Sequence, residues 1–335
     1  MARGAGRVDG RDTGRAGAGG AAAPSTSPPA TLTLERGGLL ARLRPAEGAV
    51  LDELGLDGVS VLARTPWAED VTPAGHATLA DEASWVARWR GGWQLCAPSS
   101  GQPSPAAPSF HGEASLAPWR VEPVAPDHAR GWWTSRDGGL TIERSWRLTG
   151  SGTIEVASRL RNTTPESVPV IVAEHLILGG DLLTAALDGD GARLELPRAD
   201  LLALSYSGEP DPTAPPVDPA RLTTLDRTTP PLVTGIADPD RRAVTVVTPS
   251  LRAEVTWRGL RHALLWTELA ASREEPWGGR VVALGIEPTT TPHGGGLGVP
   301  GAHRLDAGAT LAWSVGLRLA HADDTHHPHD RRERG

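Results

Sequence analysis

Leu140-Thr141-Ile142-Glu143-Arg144-Ser145-Trp146-Arg147-Leu148 alternates apolar and polar side chains with a period of two. Successive side chains of a strand point to opposite faces, so Leu140, Ile142, Trp146 and Leu148 make an apolar face and their neighbours a wet one. Arg144 is the exception on the apolar face. The pattern returns at once in Thr153 to Leu160, where Ile154, Val156 and Leu160 oppose Thr153, Glu155 and Arg159. It returns again in Leu251 to Trp257 and in Leu311 to Leu319. Three further runs, Val168 to Leu178, Ala243 to Val247 and Val281 to Ile286, are apolar on both faces, which predicts central strands covered on both sides. With 40 Gly and 30 Pro punctuating the chain, few windows sustain a helical stripe. The fold class is therefore all-β, with stacked sheets forming a large sandwich and little helix.

The 335 residues leave room for one large β domain or two ordinary ones. Residues 1–30, rich in Gly, Ala, Arg, Ser and Pro, read as a disordered leader, and 322–335 as a disordered tail carrying His326, His327 and His329. That histidine cluster reads as part of a solvated tail rather than a metal site, leaving 31–321 as the folded domain. The formal net charge is -7 and no Lys occurs, against the basic stripe of a nucleic-acid binder. Cys96 is the single cysteine, so no internal disulfide or cysteine-based zinc site can form. No apolar run approaches the ~18 residues of a membrane span, and a signal-peptide core is missing, so the expected location is cytoplasmic. No phosphate-binding motif occurs, and Gly294-Gly295-Gly296-Leu297-Gly298 lacks the strand-to-helix context of one.

Three segments carry residues suited to chemistry. In Val170-Ile171-Val172-Ala173-Glu174-His175-Leu176-Ile177-Leu178, Glu174 and His175 point to opposite faces of a strand that is apolar on both. At least one titratable group is then buried, and such a group needs a partner or a function. A hydrogen-bonded core histidine is the plainer reading of His175. In Val281 to Pro288, alternation puts Glu287 on one face with Ala283 and Gly285, whose small side chains leave space for a ligand. Pro288 is expected to end the ladder and set Glu287 at the strand's mouth, where a solvated carboxylate is the competing reading. The third segment joins Trp93-Gln94 to Phe110-His111-Gly112-Glu113 through a loop rich in Pro, Ser and Gly. His111 and Glu113 are candidate ligand contacts there, against the alternative of a turn cap and a solvated carboxylate. Trp supplies 12 of 14 aromatic side chains, so most must pack the core; Trp93, Trp119, Trp266 and Trp277 are candidates to stack on a sugar.

Taken in order, these segments resemble the aldose 1-epimerase family and its galactose mutarotase-like superfamily. Leu43-Arg44-Pro45-Ala46-Glu47-Gly48-Ala49 and Leu54-Gly55-Leu56-Asp57-Gly58 resemble its first hairpin, and His111-Gly112 its His-Gly segment. Arg161-Asn162-Thr163-Thr164 through His175 resembles the stretch bearing its catalytic histidine, Gly285-Ile286-Glu287 the late strand bearing its catalytic glutamate, and Leu305-Asp306-Ala307-Gly308 the approach to its closing strand. The chain departs from the pattern at Trp93-Gln94, where classical members carry an Arg-containing sugar loop, and at Leu176-Ile177.

The resemblance implies a galactose mutarotase-like supersandwich that interconverts the anomers of a hexose by acid and base catalysis, without metal or cofactor. Glu287 would be the base and His175 the acid, with His111, Gln94, Glu113, Trp93 and Trp266 contacting the sugar. This assignment needs an ionised Glu287 and a protonated His175. The rivals are a sugar-binding or regulatory protein on the same fold, and a glycosidase pairing Glu113 with Glu287. With no Lys and no clear Arg cluster near the candidate residues, a neutral sugar is favoured over a phosphorylated one.

Overall fold

The computed structural model describes residues 31–322. The segment 1–30 and the histidines of the C-terminal tail lie outside the described residues. The alternating stretches become the strands Leu140–Thr149, Thr153–Asn162, Leu251–Arg258 and Thr310–His321. They are neighbours in a nine-stranded antiparallel sheet, where Leu251–Arg258 pairs with Thr310–His321, which pairs with Thr153–Asn162, which pairs with Leu140–Thr149. Ile142, Trp146, Leu148, Ile154, Val156 and Leu160 all point inward and are buried, as their period requires.

Against this layer lies a ten-stranded antiparallel sheet. Its central strands, in spatial order, are Val50–Leu56, Trp93–Cys96, Ala173–Leu178, Val282–Thr289, His262–Leu269 and Leu232–Ala237. One continuous apolar core fills the space between the sheets. The stretch Val168 to Leu178 is two strands rather than one: Val168–Val170 pairs with His303–Leu305 outside the large sheets, and Ala173–Leu178 enters the centre of the second. Helix is confined to short pieces, the longer of the two α-helices being Gly180–Leu187. Among the described residues no helix is long and apolar enough to cross a membrane.

Arg144, the odd residue of the opening stretch, holds the layers together. Its guanidinium forms a fork with the Glu174 carboxylate at 2.6 and 2.7 Å and also donates to Ser158 Oγ at 2.9 Å. Trp93 Nε1 and Trp313 Nε1 donate to the same carboxylate at 2.7 and 2.6 Å. Glu174 and Arg144 are both buried, and the carboxylate accepts four bonds, two on each oxygen. A buried charge pair is tolerable only when so fully satisfied. The expected buried titratable group on this face of the strand has thus found its partner, and His175 is left on the other face.

That other face is covered by the two loops that flank Trp93–Cys96, between Val59–Ser60 and Arg120–Ala125. A second apolar cluster forms there, in which Trp85, Trp89 and Phe110 pack over Ile177 and Ala283. The short helix Glu82–Val86 belongs to this cover. Asp81 caps it, accepting from Ser84 N at 2.7 Å, and Trp85 and Val86 turn inward.

Candidate functional site

The antiparallel register decides which side chains meet. His175 is opposite Gln94 on one side, and on the other Ala173 pairs with Thr289 and Ile177 with Gly285, which puts Glu287 level with His175. Residues directly opposite share a face, so Gln94, His175, Glu287 and Leu264 form a row across four strands. Pro288 acts differently from expectation here. The strand runs through it to Thr289, and the ladder to His262–Leu269 stays complete. Pairing lapses only on the side of Ala173–Leu178, between Gly285 and Thr289, since proline has no N–H to give. Glu287 therefore sits within the sheet, on the floor of a cavity, and not at a strand's mouth.

The cavity, with about 660 Å³ of empty space counted out through its mouth, has His175 and Glu287 on its floor and Trp85, Trp89, Trp266 and Trp277 in its walls. Ring centroids of Trp85 and Trp89 lie 5.5 and 5.7 Å from that of His175, edge to face. Trp266 stands over Gly285, where an added Cβ would come within 3.1 Å of the Trp266 Cβ and 2.5 Å of Glu287 Oε1. The absent side chain at 285 is the space the carboxyl group occupies.

His111 enters from the covering loop with φ +57°, followed by Gly112 at φ +72°. Two successive left-handed residues are unusual, and such strain concentrates at functional sites. The His111 ring lies 5.1 Å from His175, centroid to centroid. Its Nδ1 accepts from the Gly101 N–H at 2.9 Å, which leaves the ring proton on Nε2 as a donor. Gly101 is required there: any Cβ would fall 1.3 Å from the Gly294 carbonyl oxygen, where the two loops meet.

Burial governs the charges. It pushes the Glu287 carboxyl from its ordinary 4.5 up to about 8, with no basic partner to pull it back. It pushes His175 down from 6.5 to about 3. His111 is also held well below its ordinary value, first by burial and then by the neighbouring His175. At neutral pH the free site therefore holds its proton on Glu287 and keeps both histidines neutral, the reverse of the ionised-glutamate, protonated-histidine pair expected from ordinary values. No hydrogen bond reaches the Glu287 carboxyl among the described residues. His175 Nδ1, Gln94 Nε2 and Ser100 Oγ are likewise buried without a partner. Unpaired buried polar groups are costly, and of these Glu287, His175 and Ser100 line the cavity, where a ligand rich in hydroxyls could relieve them.

Of the residues singled out from the sequence, His111, His175, Trp266, Trp277 and Glu287 line the cavity. Gln94 flanks His175 in the sheet row but is not part of the cavity wall. Trp93 faces the opposite side of its strand and serves Glu174, so it cannot touch a ligand beside His175. Glu113 accepts from the Arg136 backbone N–H at 3.2 Å and lies outside the cavity, which removes its pairing with Glu287. Trp119 is core, donating to the Ala114 carbonyl at 3.0 Å. The sequence reading missed Trp85, Trp89, Glu82 and Tyr206. The spacing of Trp85 and Trp89 beside the N-cap Asp81 was the available signal for the first two.

No family model matches the chain, and no curated protein does. Solved structures do match across most of the chain. A protein of Synechocystis sp. PCC 6803 superposes with a TM-score of 0.65 at 17% identity, over 88% of this chain and 96% of its own. A candidate aldose 1-epimerase of Escherichia coli K12 gives 0.63 at 15% identity, over 87% and 99%. A galactose mutarotase-like protein of Lactobacillus casei ATCC 334 gives 0.60 at 15% identity, over 87% and 100%. The chain thus has the galactose mutarotase-like β-sandwich fold, as its order of motifs predicted. At these identities the likeness concerns the fold, and function has to be argued from the cavity.

Proposed function

We propose that the protein is an aldose 1-epimerase, which opens and recloses the ring of a hexose in the Trp-walled cavity. The observation that carries this reading is the placement of His175 and Glu287 level with one another on adjacent strands of the cavity floor, with the Glu287 carboxyl and His175 Nδ1 both lacking a hydrogen-bond partner. Anomer exchange needs one proton removed from the C1 hydroxyl and one delivered to the ring oxygen. The carbonyl at C1 can then rotate, and the ring closes from its other face. A pair holding a single proton between two groups supplies both transfers.

When Glu287 takes the C1 proton and His175 gives one to the ring oxygen, the pair passes from carboxylate and imidazolium to carboxylic acid and neutral imidazole. The second state is the one that burial favours in the free site. Ring opening along this path relaxes the pair to its resting state, whereas forming the carboxylate and imidazolium beforehand works against burial; reclosure returns the protons along the same path. From its resting state the pair works on a sugar bound the other way round, with Glu287 giving its proton to the ring oxygen and His175 taking the C1 proton, and reclosure returns both. His111 Nε2–H is placed to donate to a sugar oxygen, and the indoles offer flat faces to its C–H surfaces. Trp266 would be one of these stacking surfaces and Gln94 an outer support of His175.

The test is NMR or polarimetry of freshly dissolved α-glucose and α-galactose with the wild type, Glu287→Gln and His175→Ala. Acceleration by the wild type that falls by at least about 100-fold in each variant, with the fold retained, supports the reading. Near-normal exchange in Glu287→Gln would remove that residue's role. Sugar binding without acceleration would make the protein a carbohydrate binder on this fold.

A further inference from the structure

We propose that Glu82, on the short helix Glu82–Val86 in the wall of the cavity, is a charge filter that admits neutral and amine-bearing aldoses and turns away phosphorylated and carboxylated ones. The inference rests on the sugar reading of the cavity and extends it to a residue outside the proton-transferring pair. Three observations carry it.

The first is the charge inventory of the walls. The chain contains 33 Arg and no Lys, yet among the described residues no Arg lines the cavity, where the carboxyls are Glu82 and Glu287. A phosphate or carboxylate on the substrate would be buried there without a cation, which is among the most unfavourable arrangements a site can offer.

The second is the state of Glu82 itself. It lies partly exposed in the first turn of its helix, and among the described residues no hydrogen bond or ion pair engages its carboxyl. Burial alone acts on it, raising its pKa, and among the described residues no arginine offsets its charge. The helix cap is supplied by Asp81, so Glu82 is not needed for that purpose.

The third is the aromatic surround. Glu82 precedes Trp85 by three residues on the same helix, which sets the two on one face. Trp89, Trp266 and Trp277 complete a cluster with centroid separations of 5.9, 5.8 and 6.4 Å between its pairs. Indole faces attract ammonium groups and offer nothing to an anion. A carboxylate beside such walls has two uses: it accepts hydrogen bonds from sugar hydroxyls, and it pairs with a protonated amine.

The experiment is titration of the full chain, followed by intrinsic Trp fluorescence at pH 7 and low ionic strength. The probes are glucose, galactose, their 2-amino-2-deoxy analogues and their 6-phosphates, each against the wild type and Glu82→Gln. The wild type is expected to bind a parent hexose or its amine on the order of tenfold more tightly than the 6-phosphate. Glu82→Gln should weaken the amine, strengthen the phosphate and narrow the gap between them, and added salt should narrow it in the wild type. A 6-phosphate that binds the wild type as tightly as its parent hexose, or a gap unchanged in Glu82→Gln, overturns the filter and leaves the sugar reading standing. Binding of the neutral sugar with the predicted order but no anomer exchange overturns the epimerase reading and leaves the filter. If none of the six sugars binds, both fall.

Discussion

Replacing Glu287 by Gln should make the protein more stable while removing its activity, and the gain should depend on pH in a way set by the burial of this one carboxyl. In the folded state its pKa is about 8, against an ordinary 4.5. The folded chain therefore holds this proton more tightly than the unfolded chain. Below pH 4.5 both states are protonated and the group is neutral with respect to stability. As pH rises, the unfolded state ionises first and gains ground, until near pH 8 the folded state ionises too and the penalty levels off. That gap corresponds to a plateau of about 5 kcal/mol well above pH 8, about 4 kcal/mol at pH 8 and about 3 kcal/mol at pH 7. Gln cannot ionise, so the variant escapes the penalty. Its extra N–H2 adds an offset that does not vary with pH, which makes the slope the quantity to read. Equilibrium urea unfolding of wild type and variant at pH 5, 7 and 9 measures it. The stability difference should shift towards the variant by more than 1 kcal/mol between pH 5 and 7 and again by pH 9. A difference that stays flat with pH would refute the claim that Glu287 is buried without compensation, and with it the protonation scheme of the site.

The same values fix the pH dependence of anomer exchange. Catalysis needs one proton on the pair, so kcat/KM should decline as pH rises through about 8 and as it falls towards about 3. An alkaline limb near 6.5 would show instead that a protonated His175 is the working form of the free protein. Gly285→Ala should lower exchange by on the order of tenfold or more with the sandwich intact, because its Cβ lands 2.5 Å from Glu287 Oε1 and must displace the carboxyl. NMR exchange rates alongside circular dichroism test this, and an unchanged rate would show that the carboxyl position is not critical. Arg144→Met leaves Glu174 charged in the core with only its two indole donors, and urea unfolding should show a loss of about 3–5 kcal/mol. A loss below 1 kcal/mol would mean that the carboxylate can release its charge by taking up a proton.

Much of the fold was legible because alternation is a local property. Leu140–Thr149, Thr153–Asn162, Leu251–Arg258 and Thr310–His321 follow from which residues are apolar, and each is a strand within a residue or two of its predicted limits. The opposite-face rule correctly divided Glu174 from His175, one bound by Arg144 and the other facing a cavity. Applied equally to Trp93 and Gln94, it would have shown that adjacent residues of a strand cannot both contact one ligand. Only the tertiary structure could decide register. Glu287 and His175 lie more than a hundred residues apart, and nothing local sets them level across a sheet. Nor does sequence reveal which of 12 indoles face the same space, because that depends on how the loop carrying Trp85 and Trp89 folds back over Ile177. The protonation of the pair belongs to the tertiary level as well. A side chain's ordinary pKa is written in its identity, whereas the water it loses on burial is decided by everything packed around it.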